Sequence, residues 1–285
     1  MSVAPRASAI VRTRDSATTL PATLASLRAQ DSEVEIVVVD SGSTDATLDI
    51  ARESADRVVE IPAAEFTFGR ALNVGARAAS APVHVALSSH CVLPRTDWVS
   101  MACEHVEGGA AAAVGAVDDG EGAPLSAPFT ADHAYVLTHR HWGMSNHASA
   151  WSADAWRRHP FDEQLSATED KEWTWRALAD SGPLVVDPRL LVEGTHRRSA
   201  GVRAYYRRLV KEMTSMHEVR PVPPYSAGRA VADWWRTTPS DPRISRARPR
   251  GRTRAVEVAA RWSAARRCAQ LSRADAAPGA LGNRT

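Results

Sequence analysis

Lysine is almost missing from this sequence. It occurs at Lys171 and Lys211 only, and arginine supplies the other 33 of 35 basic residues. With alanine the commonest residue, that skew reflects the coding bias of a GC-rich genome more than chemistry. Cysteine is scarce as well: Cys91, Cys103 and Cys268 make an odd count with no CxxC. That makes a poor disulfide framework and suits a reducing cytoplasm. No basic stretch leads into an apolar run of signal-peptide type. The longest apolar runs fall well short of the ~18 residues of a membrane span. A soluble, cytoplasmic chain is expected. Excess charge of either sign is lacking too, since the net is +2 over 285 residues. The whole molecule is therefore no polyelectrolyte binder. What is present is ordinary globular material, 44% hydrophobic, in one large domain or two small ones. A chain of this length can bury a core without staples.

Charge is unevenly placed. Residues 243–285 hold 11 Arg against Glu257 and Asp275, a net of +9, which leaves −7 for the rest. The change follows a proline-rich stretch that includes Pro221, Pro223, Pro224, Pro239, Pro242 and Pro249. A boundary near 225 is expected, with 1–225 as the main domain and 226–285 as an Arg-rich helical extension.

The first 120 residues alternate between strand and helix patterns. Ser8–Arg12, Val34–Asp40, Arg57–Ile61 and Pro82–Leu87 read as strands. The second is apolar on both faces, as inside a parallel sheet. Thr18–Gln30, Ser43–Ala55, Gly69–Ala79 and Trp98–Val106 read as helices. Leu20, Leu24 and Leu27 share one face, Pro21 suits a first turn, and Ser43 is a cap candidate. This alternation predicts an α/β, doubly wound, mostly parallel sheet. Ligands of such sheets sit beyond the carboxyl ends of the strands. That gathers Arg12–Asp15, Asp40–Asp45 and Ser88–Cys91 around one crevice. Further on, Glu169–Asp180, Gly201–His217 and Arg254–Arg273 read as helices and Leu184–Asp187 as a strand. In the last helix Ala255, Val258, Ala259, Trp262 and Ala269 fall near one face.

Several clusters could carry chemistry, and each has a plain structural alternative. In VVVDSGSTDAT (Val37–Thr47) an acid ends a buried strand and small polar residues turn into a helix. Such a turn can set a carboxylate against a ribose while helix N–H groups face phosphate. The alternative is an ordinary capped turn. In FTFGRALNVGARAAS (Phe66–Ser80), Arg70 and Asn73 share a helical face and could reach a phosphate or a sugar hydroxyl. A solvated arginine on a packed helix explains them equally well. His90 and Cys91 could each bind metal, but neighbours on an extended segment point to opposite faces, which argues against a joint site. Thr168-Glu169-Asp170 opens a helix, with Thr168 as a cap and Asp170 in the first turn, where the dipole favours a carboxylate. Such a carboxylate can serve as general base. Trp173 and Trp175 could stack on a sugar, or simply fill a core. His196 precedes a basic helix and could meet a metal or diphosphate, with Arg197, Arg198 or Arg203 adding charge. His133, His139, His141 and His147 lack a clean metal spacing, and are expected to be solvated or acceptor-side.

In this order, the pieces resemble glycosyltransferase family 2, with its GT-A fold, over roughly Ala7 to Glu212. The segments that carry the resemblance are SAIVRTRDSATTLPATLASL, VVVDSGSTDAT, FGRALNVGARAAS, the strand ending at SSHC with Trp98 beyond, TEDKEWTWRAL and the late His196. DSGSTDAT and FGRALNVG are most similar to rhamnosyltransferase-like members. The resemblance implies transfer of a sugar from a nucleotide-diphosphate donor, usually with inversion. It implies that Arg12, Thr13, Arg14, Asp40, Ser41, Gly42, Arg70, Asn73, Ser88, Ser89 and His90 face the donor. Asp170, with Glu169 beside it, would take the acceptor's proton. Trp173, His196, Arg197 and Arg203 would lie near diphosphate or acceptor. The acceptor could be a glycan, a lipid-linked sugar or a small molecule.

One departure stands out. Where the family carries Asp-x-Asp, this chain reads Ser88-Ser89-His90. A divalent metal, Mg²⁺ or Mn²⁺, prefers oxygen ligands, so any such site is weakened. Three accounts stay open. His90, His196 and the arginines could neutralise the leaving diphosphate without a tightly held metal. A metal could bind through donor phosphates, His90 and His196. Or catalysis was lost, leaving a protein that binds a nucleotide sugar or glycan; the intact Thr-Glu-Asp argues against that. For residues 243–285 two readings compete: an Arg-rich helix lying on an anionic membrane at the inner face, or a helix packing through Trp262 on the catalytic domain. Nucleic acid is not expected as a partner.

Overall fold

The computed structural model describes residues 4–116, 125–139, 142–194, 202–220, 225–235 and 250–275. Contacts divide the chain into two compact units. The first comprises residues up to 165 together with 169–196; the second comprises 166–168 and 197 onward. The division falls upstream of 225, where the prolines suggested it.

The first unit is built on an eight-stranded sheet. Its parallel half holds β1 (Ala7–Thr13), β2 (Val34–Asp40), β3 (Arg57–Glu60) and β4 (Val83–Ser88). The spatial order is β3-β2-β1-β4, so the chain reverses its direction of travel between β1 and β4. Every residue of β1, β2 and β4 is buried. Both faces are covered, which explains the largely apolar runs. The register aligns the strand ends: Thr13 pairs with Asp40 and Arg12 with Ser88. Three ligand-facing termini therefore end side by side at the switch point.

The other half mixes directions. Along the chain come β5 (Cys91–Val92), β6 (Ala112–Val114), β7 (Phe129–Ala131), β8 (Ala148–Ser152), β9 (Leu184–Val186) and β10 (Glu193–Gly194). Strand β8 runs antiparallel to both β4 and β6, β9 runs parallel to β6, and β7 closes the edge antiparallel to β9. Strands β5 and β10 form a separate antiparallel pair.

The helices of this unit are α1 (Leu20–Arg28), α2 (Thr47–Ser54), α3 (Phe68–Ala78), α4 (Trp98–Glu107), α5 (His133–Thr138), α6 (Ala153–Arg158) and α7 (Glu169–Ala177). Leu20, Leu24 and Leu27 of α1 are buried, as their spacing predicts. Each contributes on the order of 1.5–3 kcal/mol by leaving water. Helix α3 lies so close to β1 that a Cβ on Gly75 would stand 2.3 Å from Ile10 Cγ2. That approach explains the glycine in FGRALNVG. Helix α2 begins later than expected because Ser43 is not its cap; its hydroxyl donates to Asp40 instead.

The second unit contains α8 (Val202–Val219), α9 (Ala227–Trp235) and α10 (Arg250–Asp275). Helix α8 packs on α10, where Tyr205 donates to Glu257 at 2.6 Å and Tyr206 shares a 2.7 Å bond with Ser263. This pairing, through tyrosines on α8, is why the division lies before α8. The buried face of α10 is Glu257, Ala260, Ala264 and Cys268. The expected stripe through Ala255, Val258, Ala259, Trp262 and Ala269 is wrong, and Trp262 is exposed beneath Arg266. The alanine-rich sequence offers two stripes, and the one with a polar partner for Tyr205 is buried. Among the described residues no helix is long and apolar enough to cross a membrane.

Candidate active site

The crevice is assembled from three strand ends, one loop and one helix start. At the end of β2, Asp40 is wholly buried. Its carboxylate accepts from Gly42 N at 2.9 Å, Ser43 N at 2.8 Å and the Ser43 hydroxyl. The turn needs Gly42, whose φ is +83°. Ser41 is buried too, and both its N–H and its hydroxyl donate to Thr13 O at 3.1 Å. Asp40 and Ser41, expected to face the donor, are both enclosed and hold the turn.

At the end of β1 the chain bends through Asp15, at φ 45°. Asp15 accepts from Thr44 N at 2.8 Å, and its own N–H donates to Ser43 Oγ at 2.9 Å, so the two turns clasp each other. A non-glycine residue held there is strained, as functional turns often are. Arg14 lies open at the rim, 3.8 Å from Asp15. Thr13 is buried, and its hydroxyl has no partner among the described residues.

Arg12 turns inward. Its guanidinium donates to Ser88 Oγ at 3.2 Å and to Asn146 O, and it sits 5.5 Å from the centre of the Phe68 ring. Burial lowers its pKa, while Glu169, Asp170 and Cys91 act the other way. At the end of β4, Ser88 and Ser89 are both buried. Ser89 N donates to Arg12 O at 3.3 Å, and its hydroxyl lies 2.9 Å from that of Ser16.

The loop Trp142–His147 joins this floor to α7. Lys171 Nζ donates to Gly143 O at 2.9 Å and Met144 O at 3.0 Å, while Met144 N donates to Thr174 Oγ1 at 2.9 Å. Asn146 then meets both acids: its side-chain amide donates to Glu169, and its backbone N–H donates to Asp170 Oδ2 at 3.0 Å. Lys171 N donates to Asp170 Oδ1 at 2.8 Å. The neighbouring acids differ sharply. Asp170 is half-buried, whereas Glu169 is 0% exposed and its Oε2 has no partner among the described residues. Burial, helped by the charge of Asp170, pushes the Glu169 carboxyl up to about 7. Ahead of them Thr168 does not act as a plain cap: it sits at φ 64°, with its hydroxyl on Ala167 O and Ser215 Oγ.

The structure thus brings Arg12, Thr13, Ser88, Ser89, His90, Glu169 and Asp170 into one neighbourhood, and it removes others. Trp173 is 0% exposed, donates to His159 O at 2.6 Å and stacks on Phe161. It is core, so it cannot stack on a sugar; Trp175 is buried as well. Asn73 is buried with its amide fully used: it donates to Phe161 O and Glu163, and accepts from Trp156 Nε1 and Phe161 N, each at 2.9 Å. It ties α3 to the 161–163 loop and has no group left for a donor. Arg70 is engaged by Glu65 and Glu163. Arg203 is exposed in the first turn of α8, in the other unit. His196 and Arg197 lie outside the described residues.

His90 and Cys91 do not point apart, because Ser89–His90 form a turn and the alternation rule of a strand does not apply. His147 is not solvated: it is buried, with Nε2 3.2 Å from Cys91 Sγ. Asn146 and Phe68 were missed as site residues. Their neighbours in sequence gave a faint signal: Phe68 precedes the glycine of FGRALNVG, and Asn146 ends a stretch rich in His and aromatics.

The description "Glycosyl transferase family 2" matches residues 8–163, just over half of the chain. The chain belongs to this family. The match covers the parallel half of the sheet and stops before Thr168-Glu169-Asp170. No curated protein matches the sequence. Solved structures agree on the fold. This glycosyltransferase resembles TarS 1–349 of S. aureus at 17% identity and a TM-score of 0.55, covering 93% of this chain and 92% of that one. It resembles a mannosyltransferase of Pyrobaculum calidifontis at 17% identity and 0.58, covering 98% and 77%. It also resembles glucosyl-3-phosphoglycerate synthase of Mycobacterium tuberculosis at 19% and 0.55, covering 79% and 82%. The mixed sheet with flanking helices is the GT-A arrangement.

The latter two were solved with Mn²⁺. The residues here do not fit that ion. The end of β4 supplies two hydroxyls and an imidazole, and the buried acid beside it, Glu169, is already bonded to Asn146. A hard cation wants several oxygen ligands, carboxylates foremost.

Proposed function

We propose that the protein transfers a sugar, with inversion, from a nucleoside-diphosphate donor to an acceptor hydroxyl, and that Asp170 is the base. The observation that carries this is the contrast within the carboxylate pair. Asp170 is reachable and fixed by two backbone N–H groups, beside the crevice where β1 and β4 end. Glu169 is enclosed behind it. The donor class is supported by related structures solved with UDP, UDP-GlcNAc and GDP-Man.

In this reading the acceptor hydroxyl gives its proton to Asp170 as its oxygen attacks the anomeric carbon. The bond from that carbon to the diphosphate oxygen breaks, and the electron pair leaves with the diphosphate. Arg14 at the rim and Arg12 in the floor supply positive charge for it. Asn146 orients the base, because its carbonyl binds Arg12 while its N–H binds Asp170. A glycan, a lipid-linked sugar or a small molecule fits as acceptor. Exposed Trp234, Trp235 and Trp262, on helices with arginines, favour a lipid-linked one presented at an anionic membrane surface. Co-sedimentation with anionic but not neutral vesicles checks that part.

The test is Asp170→Asn. Loss of a general base should lower transfer by roughly 10²–10⁴-fold. The melting shift caused by UDP or GDP should persist. Full transfer by the variant overturns the assignment. A second reading is a family member that binds a nucleotide sugar without transferring it, favoured by Ser88-Ser89-His90 in place of two carboxylates. Turnover that depends on Asp170 excludes it.

A further inference from the structure

Three soft or borderline ligands converge beside the end of β4. One ligand atom from each of His90, Cys91 and His147 lies within 4.8 Å of the others. Cys91 Sγ is 3.2 Å from His147 Nε2 and 3.6 Å from Nδ1, and the His90 and His147 ring centres are 5.4 Å apart. A tetrahedral zinc ion has Zn–S bonds of about 2.3 Å and Zn–N bonds of about 2.0 Å, which set its ligand atoms roughly 3.5 Å apart. The observed spacing already matches an edge of that tetrahedron.

Three backbone constraints hold the group together. Cys91 is clamped in β5 against Gly194. His147 O accepts from Ser88 N at 3.0 Å, which fixes the loop to the end of β4. The third is the turn at Ser89–His90, which sets the His90 side chain on the same side as Cys91. Cys91 and His147 are buried and His90 is half-buried, so the cluster has one partly open side.

We propose that His90, Cys91 and His147 form a binding site for a borderline-soft divalent ion of the zinc class. Thiolate and imidazole favour zinc, whereas Mg²⁺ and Mn²⁺ favour carboxylate, carbonyl and water. Cys91 binds as the thiolate and releases its proton to solvent. Three protein ligands leave one coordination position for water or an oxygen of a bound ligand, as in catalytic rather than structural zinc sites. The chain has therefore exchanged a hard-metal position for a soft one at the same strand end. The inference rests on these three side chains and not on the identity of the donor.

The test titrates Co²⁺ and then Zn²⁺ into the purified, chelator-treated full chain, with no nucleotide present. Expected are one Co²⁺ per chain, tetrahedral visible bands and a near-ultraviolet thiolate-to-cobalt band, with displacement by one equivalent of Zn²⁺. Cys91→Ser should abolish the thiolate band, while Cys103→Ser and Cys268→Ser keep it. Should Cys91→Ser misfold, His90→Gln at the half-buried position decides. It should weaken Co²⁺ binding by more than the roughly 10–100-fold typical of losing an outer partner. A wild-type spectrum without the thiolate band overturns the proposal. So does a band that survives Cys91→Ser, an affinity unchanged in His90→Gln, or displacement by equimolar Mn²⁺. Because no sugar nucleotide is used, failure here leaves the transferase reading intact, and the reverse also holds.

Discussion

Replacing Glu169 by Gln should make the protein more stable at alkaline pH while harming its chemistry. Burial raises this carboxyl from its ordinary 4.5 to about 7, and the charge of Asp170 adds to the rise. Raising the proton affinity that far corresponds to about 3 kcal/mol, at roughly 1.4 kcal/mol per tenfold change. The sign follows from linkage. Below pH 4.5 the group is protonated in both folded and unfolded chains and costs nothing. As pH rises from 4.5 through 7, the unfolded chain sheds its proton and the folded chain resists. Stability is therefore lost with rising pH, up to about 3 kcal/mol by pH 8.

Gln keeps the shape, and its amide oxygen still accepts from Asn146, but it cannot ionise. Urea denaturation of wild type and Glu169→Gln at pH 4.5 and pH 8 is the assay. The two should be nearly equal at pH 4.5, and the variant should be the more stable at pH 8 by roughly 1–3 kcal/mol. Transfer activity of the wild type should change through pH 7, where Glu169 takes up its charge beside the reacting groups; the variant should lose that step. Equal stability loss at both pH values would refute the reasoning, because it would show Glu169 to be an ordinary stabilising contact.

Other consequences can be checked separately. His84 is enclosed between Trp151 and Trp156, and burial, helped by Arg157, lowers its pKa to about 4. The fold should therefore lose about 3 kcal/mol as pH falls from 6.5 to 4, and His84→Leu should flatten that slope in pH-dependent melts. Asn73→Ala strands Trp156 Nε1 and the Phe161 backbone, costing about 3 kcal/mol or more at roughly 1–3 per orphaned group. The affinity of the variant for UDP or GDP, by calorimetry, should stay within about twofold of wild type, since no Asn73 group faces the crevice.

The sheet was legible because its signals are local. Val34–Asp40 is apolar on both faces and bounded by turn residues, and its limits in the structure are those of the pattern. Leu20, Leu24 and Leu27 announce α1 in the same way. Signals with two physical solutions misled. Asp40 and Ser43 can cap a helix or lock a turn, and the clasp with Asp15 selects the turn. The alanine stripe of α10 has two equivalent faces, and only Glu257, bonded to Tyr205, separates them. Trp173 and Asn73 look like ligand residues in one dimension, but burial decides against both, and burial is a property of the whole packing.

The least legible part of the site is also the most connected. Asn146 binds Arg12, Glu169 and Asp170 at once, through carbonyl, amide and N–H. Two of those three bonds use the backbone, so the side-chain identity at 146 records only one of them. His147 follows the same logic, since its carbonyl is fixed by Ser88 N before its ring meets Cys91. A loop wired through main-chain groups carries almost no motif, because any residue can offer an N–H and a C=O. Function therefore enters this fold twice. The end of β2 and the start of α7 write it into the sequence as DSGST and TED. The loop Trp142–His147 writes it through backbone bonds, which set Asn146 against both acids and His147 against Cys91.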